Sequence, residues 1–100
     1  MHNSADIHSF QVKLREQFPS LASRYGISTL SLFGSRVRGD SRADSDLDVL
    51  VRFDNAPSLF TFIELENELS DLLGLQVDLV MADALRPDVA TEVLTTAVPV

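Results

Sequence analysis

The sequence contains no cysteine, which excludes disulfide staples and thiolate metal sites and fits a reducing compartment without requiring one. No apolar run approaches the roughly 18 residues that a membrane-spanning helix needs. The opening residues, MHNSADIH, lack the basic and apolar regions of a secretory leader. These absences point to a cytoplasmic protein with no membrane association. Basic residues are scarce: 8 Lys and Arg against 15 Asp and Glu give a net charge of −7. General nucleic-acid binding is therefore not expected, because affinity for phosphate backbones draws on clustered Lys and Arg. Low-complexity tracts and internal repeats are also missing. With 45% hydrophobic residues in 100, the composition is that of one globular domain, residues 1–100, able to bury roughly two-thirds of its unfolded surface.

The few cations are unevenly placed. Arg36, Arg38, Arg42 and Arg52, four of the 8 basic residues, fall in or just after the stretch FGSRVRGDSRADSDLDVLV from Phe33 to Val51. That stretch sets Gly34-Ser35 at a sharp turn, then ten residues, then Asp46 and Asp48 on either side of Leu47. By contrast, the charges between Glu64 and Asp71 are all acidic, a solvated face or a surface for a basic partner.

Periodicity supplies the frame. Ile7, Phe10, Leu14, Phe18 and Leu21 recur at three and four residues, the stripe of an amphipathic helix. Pro19 is incompatible with a deep helical position, which predicts an end near Phe18, and Gly26 marks a turn. Ser28–Phe33 is a strand stopped by Gly34, and Ser35–Gly39 a tight turn opening a short helix. From Leu47 to Phe53 the chain alternates: Leu47, Val49, Val51 and Phe53 face one way, Asp46, Asp48, Leu50 and Arg52 the other. Asn55-Ala56-Pro57 is a loop. Ser58 caps a helix with apolar positions Leu59, Phe62, Ile63, Leu69, Leu72 and Leu73, closed by Gly74. Leu75–Val80 is a further strand, with Asp78 facing away from Leu75, Val77 and Leu79. Pro87 begins a last helix over 88–95.

The order α-β-α-β-α-β-α predicts an α/β fold: a small mixed three-stranded sheet with helices packed on it. A right-handed crossover lays 47–53 and 75–80 side by side and parallel, with the helix between them on the Val49/Val51/Val77/Leu79 face. Asp46, Asp48 and Asp78 then share the opposite face by parity alone.

That convergence has a chemical use. Carboxylates at i and i+2 of a strand are about 6.5–7 Å apart along the backbone and lean together readily. Mg²⁺ takes oxygen ligands at about 2.0–2.1 Å and is held by one or two carboxylates plus substrate phosphates. A third carboxylate on the adjoining strand leaves room for a second ion about 3.5–4 Å away, the arrangement that clamps an in-line phosphoryl displacement. Gly34 lets the backbone approach a triphosphate, and the Ser35 hydroxyl and helix start donate to its oxygens. Arg36 and Arg38 add cations suited to phosphate. The candidate residues are thus Asp46, Asp48 and Asp78 as metal ligands and catalytic groups, and Gly34, Ser35, Arg36 and Arg38 for the nucleotide. Two rival motifs fail. Asp44, Asp46 and Asp48 mimic the start of an EF-hand loop, but Val49 and Asn55 replace its glycine and its bidentate glutamate. The Gly-Lys-Ser/Thr of a P-loop is absent. His2 and His8 lie outside the motif and are surface residues.

Gly34-Ser35, Asp46-Leu47-Asp48 and the later Val77-Asp78-Leu79-Val80 resemble the signature of the polymerase-β-type nucleotidyltransferase superfamily. More narrowly, GSRVRGDSRADSDLDVLV resembles the minimal nucleotidyltransferase (MNT) domains, including the MntA-like antitoxins of HEPN/MNT toxin–antitoxin pairs. The resemblance covers essentially the whole chain. It implies that Ser35 contacts nucleotide phosphate, that Asp46 and Asp48 hold Mg²⁺, and that Asp78 is a third carboxylate near the attacking hydroxyl. It further implies ATP as substrate and a helical HEPN ribonuclease toxin as partner, silenced by transfer of AMP to a tyrosine hydroxyl. A chain this short leaves little for a second substrate-binding domain, so a partner would complete the cleft; the helix around Glu64–Asp71 and the rim near Arg42 are candidate partner surfaces. Two alternatives stay open: an antitoxin acting by occlusion without catalysis, and a transferase acting on a small molecule such as an aminoglycoside.

Overall fold

Residues 3–39 and 46–100 are described by a computed structural model. In chain order they form α1 (Asn3–Tyr25), β1 (Ile27–Phe33), α2 (Ser35–Arg38), β2 (Leu47–Phe53), α3 (Leu59–Leu73), β3 (Val77–Met81), a 3₁₀ turn (Ala82–Ala84), α4 (Pro87–Thr96) and β4 (Val98–Pro99). The sheet order is β3-β2-β1-β4. β1 is antiparallel to both β2 and β4, and β2 is parallel to β3. The expected mixed α/β sheet is present, with one strand more than expected. Two-residue β4 carries no periodicity that a sequence pattern could show, and its Pro99, having no N–H, suits an edge.

One face of the sheet carries the core. Leu30 and Leu32 of β1, Leu47, Val49 and Val51 of β2, and Val77 and Leu79 of β3 pack there against Leu14 and Leu21 of α1 and Leu65, Leu69 and Leu73 of α3. Each strand alternates, so the residues between these point to the other face. The parity expected for β2 and β3 therefore holds, as does their parallel pairing.

Helix α1 does not end at Phe18: it runs through Pro19 to Tyr25. Proline removes one main-chain hydrogen bond and crowds the preceding turn. Here Ile7, Leu14 and Leu21 lie on one buried stripe on both sides of it, and tertiary burial of that stripe outweighs the local defect. The buried stripe of α3 also differs from expectation. Leu65 is fully buried while Leu59 and Ile63 are 71% and 43% exposed. Ser58 caps α3 as expected, its hydroxyl accepting from the Thr61 N–H at 3.1 Å, and Gly74 closes it at φ 75°.

The acids of α3 are partly structural. Glu66 accepts from the Leu79 N–H at 2.9 Å, and the Ser70 hydroxyl accepts from the Val77 N–H at 3.0 Å. Two donors on the outer edge of β3 are thereby satisfied. Glu68 clamps α3 to α1, accepting from both terminal nitrogens of Arg24 and, at 2.6 Å, from the Tyr25 hydroxyl. Only Glu64 and Asp71 of the acidic stretch are left exposed and outside these bonds.

Hydrogen bonds from Arg24 and then Tyr25 hold the Glu68 carboxyl down at about 2, against an ordinary 4.5. A depressed carboxyl stabilises the fold above its unfolded value and loses that contribution as pH falls through the folded value. Thermal melts between pH 5 and pH 2 should show a progressive loss of Tm that is flattened in Glu68→Gln; an identical acid slope in both proteins would refute the clamp's contribution.

Candidate active site

The site is assembled by strand register. Phe33 of β1 stands opposite Asp48 of β2, and Asp48 opposite Asp78 of β3. These three side chains form one row across the face away from the core. Asp46, one residue ahead of β2, is exposed at the mouth of the row. The next row toward the other end of the sheet is Ser31, Leu50 and Val80, and the one after it begins with Thr29 and Arg52.

At the end of β1 the chain turns through Gly34, at φ 88° and ψ −160°. This is a backbone region that side chains other than glycine's rarely adopt. A second reason for glycine lies in space: a Cβ here would stand 1.9 Å from Asp48 Oδ2 and 2.8 Å from its Cγ. The main chain of the turn thus lies directly against the Asp48 carboxyl. Ser35 opens the single turn of α2, in which the Arg38 N–H donates to the Gly34 carbonyl at 3.0 Å. Gly39 closes that turn at φ 84°, donating to the Ser35 carbonyl at 2.9 Å. Val37 anchors α2 by packing on the core, and Arg38 is close enough for its charge to act on the Asp48 carboxyl. Arg42 and Asp44 lie outside the described residues.

Burial pushes the Asp48 carboxyl above its usual range, and the charges of Asp78 and Asp46 and a hydrogen bond shared with Asp78 push it further, against the pull of Arg38. Two carboxyl groups within hydrogen-bonding reach, with the charge of a third nearby, disfavour one another's ionised forms. All of its acidic ligands are hard oxygens, the donor set that suits Mg²⁺. Among the described residues, however, no group of three or more His, Asp or Glu is gathered at metal-ligand spacing. The geometry is an Asp48–Asp78 pair with Asp46 beside it.

Some of this face escaped the motif. Phe33 was identified only as a strand terminus, yet it shares the row of the carboxylates. No motif gives Leu50, Arg52 or Leu94 of α4 a role on this face. Leu94 and Leu50 line a cavity of about 460 Å³ that runs from that face past the edge of β1 to Arg15, Phe18 and Pro19 of α1, and none of the carboxylates lines it. The parity of Thr29, Ser31 and Phe33 against Leu30 and Leu32 was the available signal for the first of these.

The turn-plus-carboxylate geometry belongs to a known class. The model of the polymerase beta nucleotidyltransferase family matches residues 16–100, and the chain belongs to that family. It is a nucleotidyltransferase, as the motif led us to expect. Among its relatives is the protein adenylyltransferase MntA of Thermococcus cleftensis, 50% identical over 78 residues, which span 78% of this chain and 79% of the relative. A solved minimal nucleotidyltransferase, 41% identical, superposes with a TM-score of 0.73 over 86% of this chain and 88% of its own. The fold also recurs in a solved Shewanella oneidensis complex of a tri-AMPylated HEPN toxin with an MNT antitoxin, at 21% identity and a TM-score of 0.64, covering 90% of this chain and 70% of that one.

Two substitutions probe the site. A group with a raised carboxyl pKa favours the fold while protonated and loses that advantage as pH rises, so Asp48 opposes folding at neutral pH. Without metal, Asp48→Asn should raise Tm at pH 7 by a few degrees, and the further rise that Mg²⁺ or Mn²⁺ gives the wild type should be lost. An equal metal response in both proteins would count against the site. Gly34→Ala forces both a strained backbone conformation, costing about 1–3 kcal/mol, and displacement of Asp48. Transferase activity should fall at least tenfold while far-UV circular dichroism stays native; wild-type activity would show that the close approach is dispensable.

Proposed function

We propose that this domain, over residues 1–100, is a cytoplasmic protein adenylyltransferase and antitoxin that moves AMP from ATP to a tyrosine hydroxyl of a helical HEPN-type ribonuclease toxin. The observation that carries the reading is the main chain of Gly34 lying against Asp48, with Asp78 alongside. A phosphate-suited turn and an acidic pair are thereby held within one site. The adenylyltransferase name of the Thermococcus cleftensis relative and the AMPylated toxin in the complex of like fold favour a protein acceptor.

Asp46 and Asp48 would hold Mg²⁺, and Asp78 together with Asp48 a second ion. Bound there, the metal supplies positive charge to the triphosphate and relieves the repulsion among the acids. The chain's own groups do the rest. Ser35 and the first N–H groups of α2 bind and orient the β- and γ-phosphates, and Arg36 and Arg38 add charge as pyrophosphate departs. Asp78, exposed at the end of the row, is placed to take the proton of the incoming hydroxyl. The tyrosine oxygen forms a bond to the α-phosphorus as the bond from that phosphorus to its bridging oxygen breaks. Pyrophosphate leaves with the electron pair, and the tyrosine retains AMP. The toxin is silenced by the added group.

The decisive experiment incubates the protein with ATP, Mg²⁺ and a HEPN-type partner and weighs the partner by mass spectrometry. Adenylyl-sized additions on a tyrosine, reduced at least a hundredfold in the Asp46→Asn/Asp48→Asn double variant, are the expected result. An unmodified partner neutralised equally well by the double variant would overturn it in favour of occlusion. Adenylylation of an aminoglycoside without any partner would overturn it in favour of a small-molecule transferase.

A further inference from the structure

Beyond the carboxylate row, the same face of the sheet continues into a cleft. Its floor is Ser31 and Leu50, which pair across β1 and β2; Leu94 of α4, Pro99 and Val100 wall one side, and past the edge of β1 it is closed by Phe18 and Pro19 of α1, with Arg15 beside them. Leu50 is only 4% exposed although it stands apart from the core cluster. It is buried on the catalytic side of the sheet. Leu94, above it, is 53% exposed. Arg52, at the far end, is tied to Asp83 at 2.8 Å. The cavity measures about 460 Å³, within the range of about 300–1,000 Å³ typical of sites for small organic groups.

Its place relative to the carboxylates suggests what enters it. Leu50 follows Asp48 by two residues on one strand face, so the cleft begins about 6.5–7 Å along β2 from that acid. Gly34 and Ser35 lie on the opposite side of Asp48, at the end of β1. In an in-line displacement the attacking and leaving oxygens are on opposite sides of the phosphorus. With pyrophosphate leaving toward Gly34-Ser35, the attacking hydroxyl arrives from the side of Leu50. A group filling this cleft and ending at the carboxylates needs an apolar body and a hydroxyl tip. Tyrosine has that form.

We infer that the cleft between Leu50 and Leu94 is the acceptor subsite, receiving the ring of the target tyrosine and directing its hydroxyl along β2 toward the Asp48–Asp78 pair. The inference rests on the protein-acceptor reading above and goes beyond it by locating the subsite. Leu50, Ser31 and Leu94 then set acceptor specificity, while nucleotide binding is left to the other side of Asp48.

Two variants test this: Ser31→Phe fills the floor, and Leu94→Glu puts a charge on an exposed wall with little risk to folding. With ATP, Mg²⁺ and a HEPN-type partner, each should lower kcat/KM for the partner at least tenfold. Calorimetric affinity for a non-hydrolysable ATP analogue, measured without partner, should stay within twofold. Unchanged labelling by Leu94→Glu would overturn the inference. Parallel loss of analogue binding in both variants would overturn it too, assigning the cleft to the nucleoside. If the wild type labels no partner, the reading above fails, and the cleft is decided separately with 4-methylphenol as probe. Saturable shifts of the Leu50 and Leu94 methyl resonances would support a phenol site; their absence would refute it.

Discussion

The structure depends on one contact, the Asp48 carboxyl against the main chain of Gly34. It exists because β1 and β2 pair in a register that sets Phe33 opposite Asp48. The residue after Phe33 is then carried across the end of the strand, directly over the acid. No side chain fits between them. The core face fixes the register: a slip by one residue would move Leu30, Leu32, Val49 and Val51 from the core to the opposite face. Hydrophobic burial on one side of the sheet thus sets the distance between a phosphate turn and a metal-suited acid on the other.

The same register separates two kinds of work. The end of the sheet nearest α2 gathers the acids and the turn's donors, where charge is concentrated and a cation is called for. Moving away from it, the next row, Ser31, Leu50 and Val80, carries no charge, and Leu94 of α4 shares a cleft with Ser31 and Leu50. A nucleotide and a protein side chain make opposite demands on their surroundings. Two adjoining rows of one small sheet answer both.

Much of this was legible in the sequence because strand parity is rigid. Asp46, Asp48 and Asp78 fall on one face from alternation alone, and Gly39, Gly74 and Ser58 act at the termini that their chemistry favours. What escaped was decided by partners distant in sequence. Pro19 is tolerated because Leu14 and Leu21 are buried on either side of it, which local propensity cannot register. In α3, the acids cannot be sorted by composition: Glu66 and Glu68 are engaged by Leu79, Arg24 and Tyr25, whereas Glu64 and Asp71 remain exposed. The cleft was hidden for a similar reason. Its walls come from α1, β1, β2, α4 and the final residues, and apart from Leu50 they lie outside the Phe33–Val51 stretch.

The capped edge of β3 has a bearing on assembly. The outward N–H groups of Val77 and Leu79 are spent on Ser70 and Glu66, and on the opposite border β4 ends in Pro99, whose carbonyl accepts from Gln11 at 2.8 Å. On the β3 border, then, the Val77 and Leu79 N–H groups are not available to an incoming strand. Strand addition there would first have to break two hydrogen bonds to α3, whereas contacts through helical and sheet faces leave both intact.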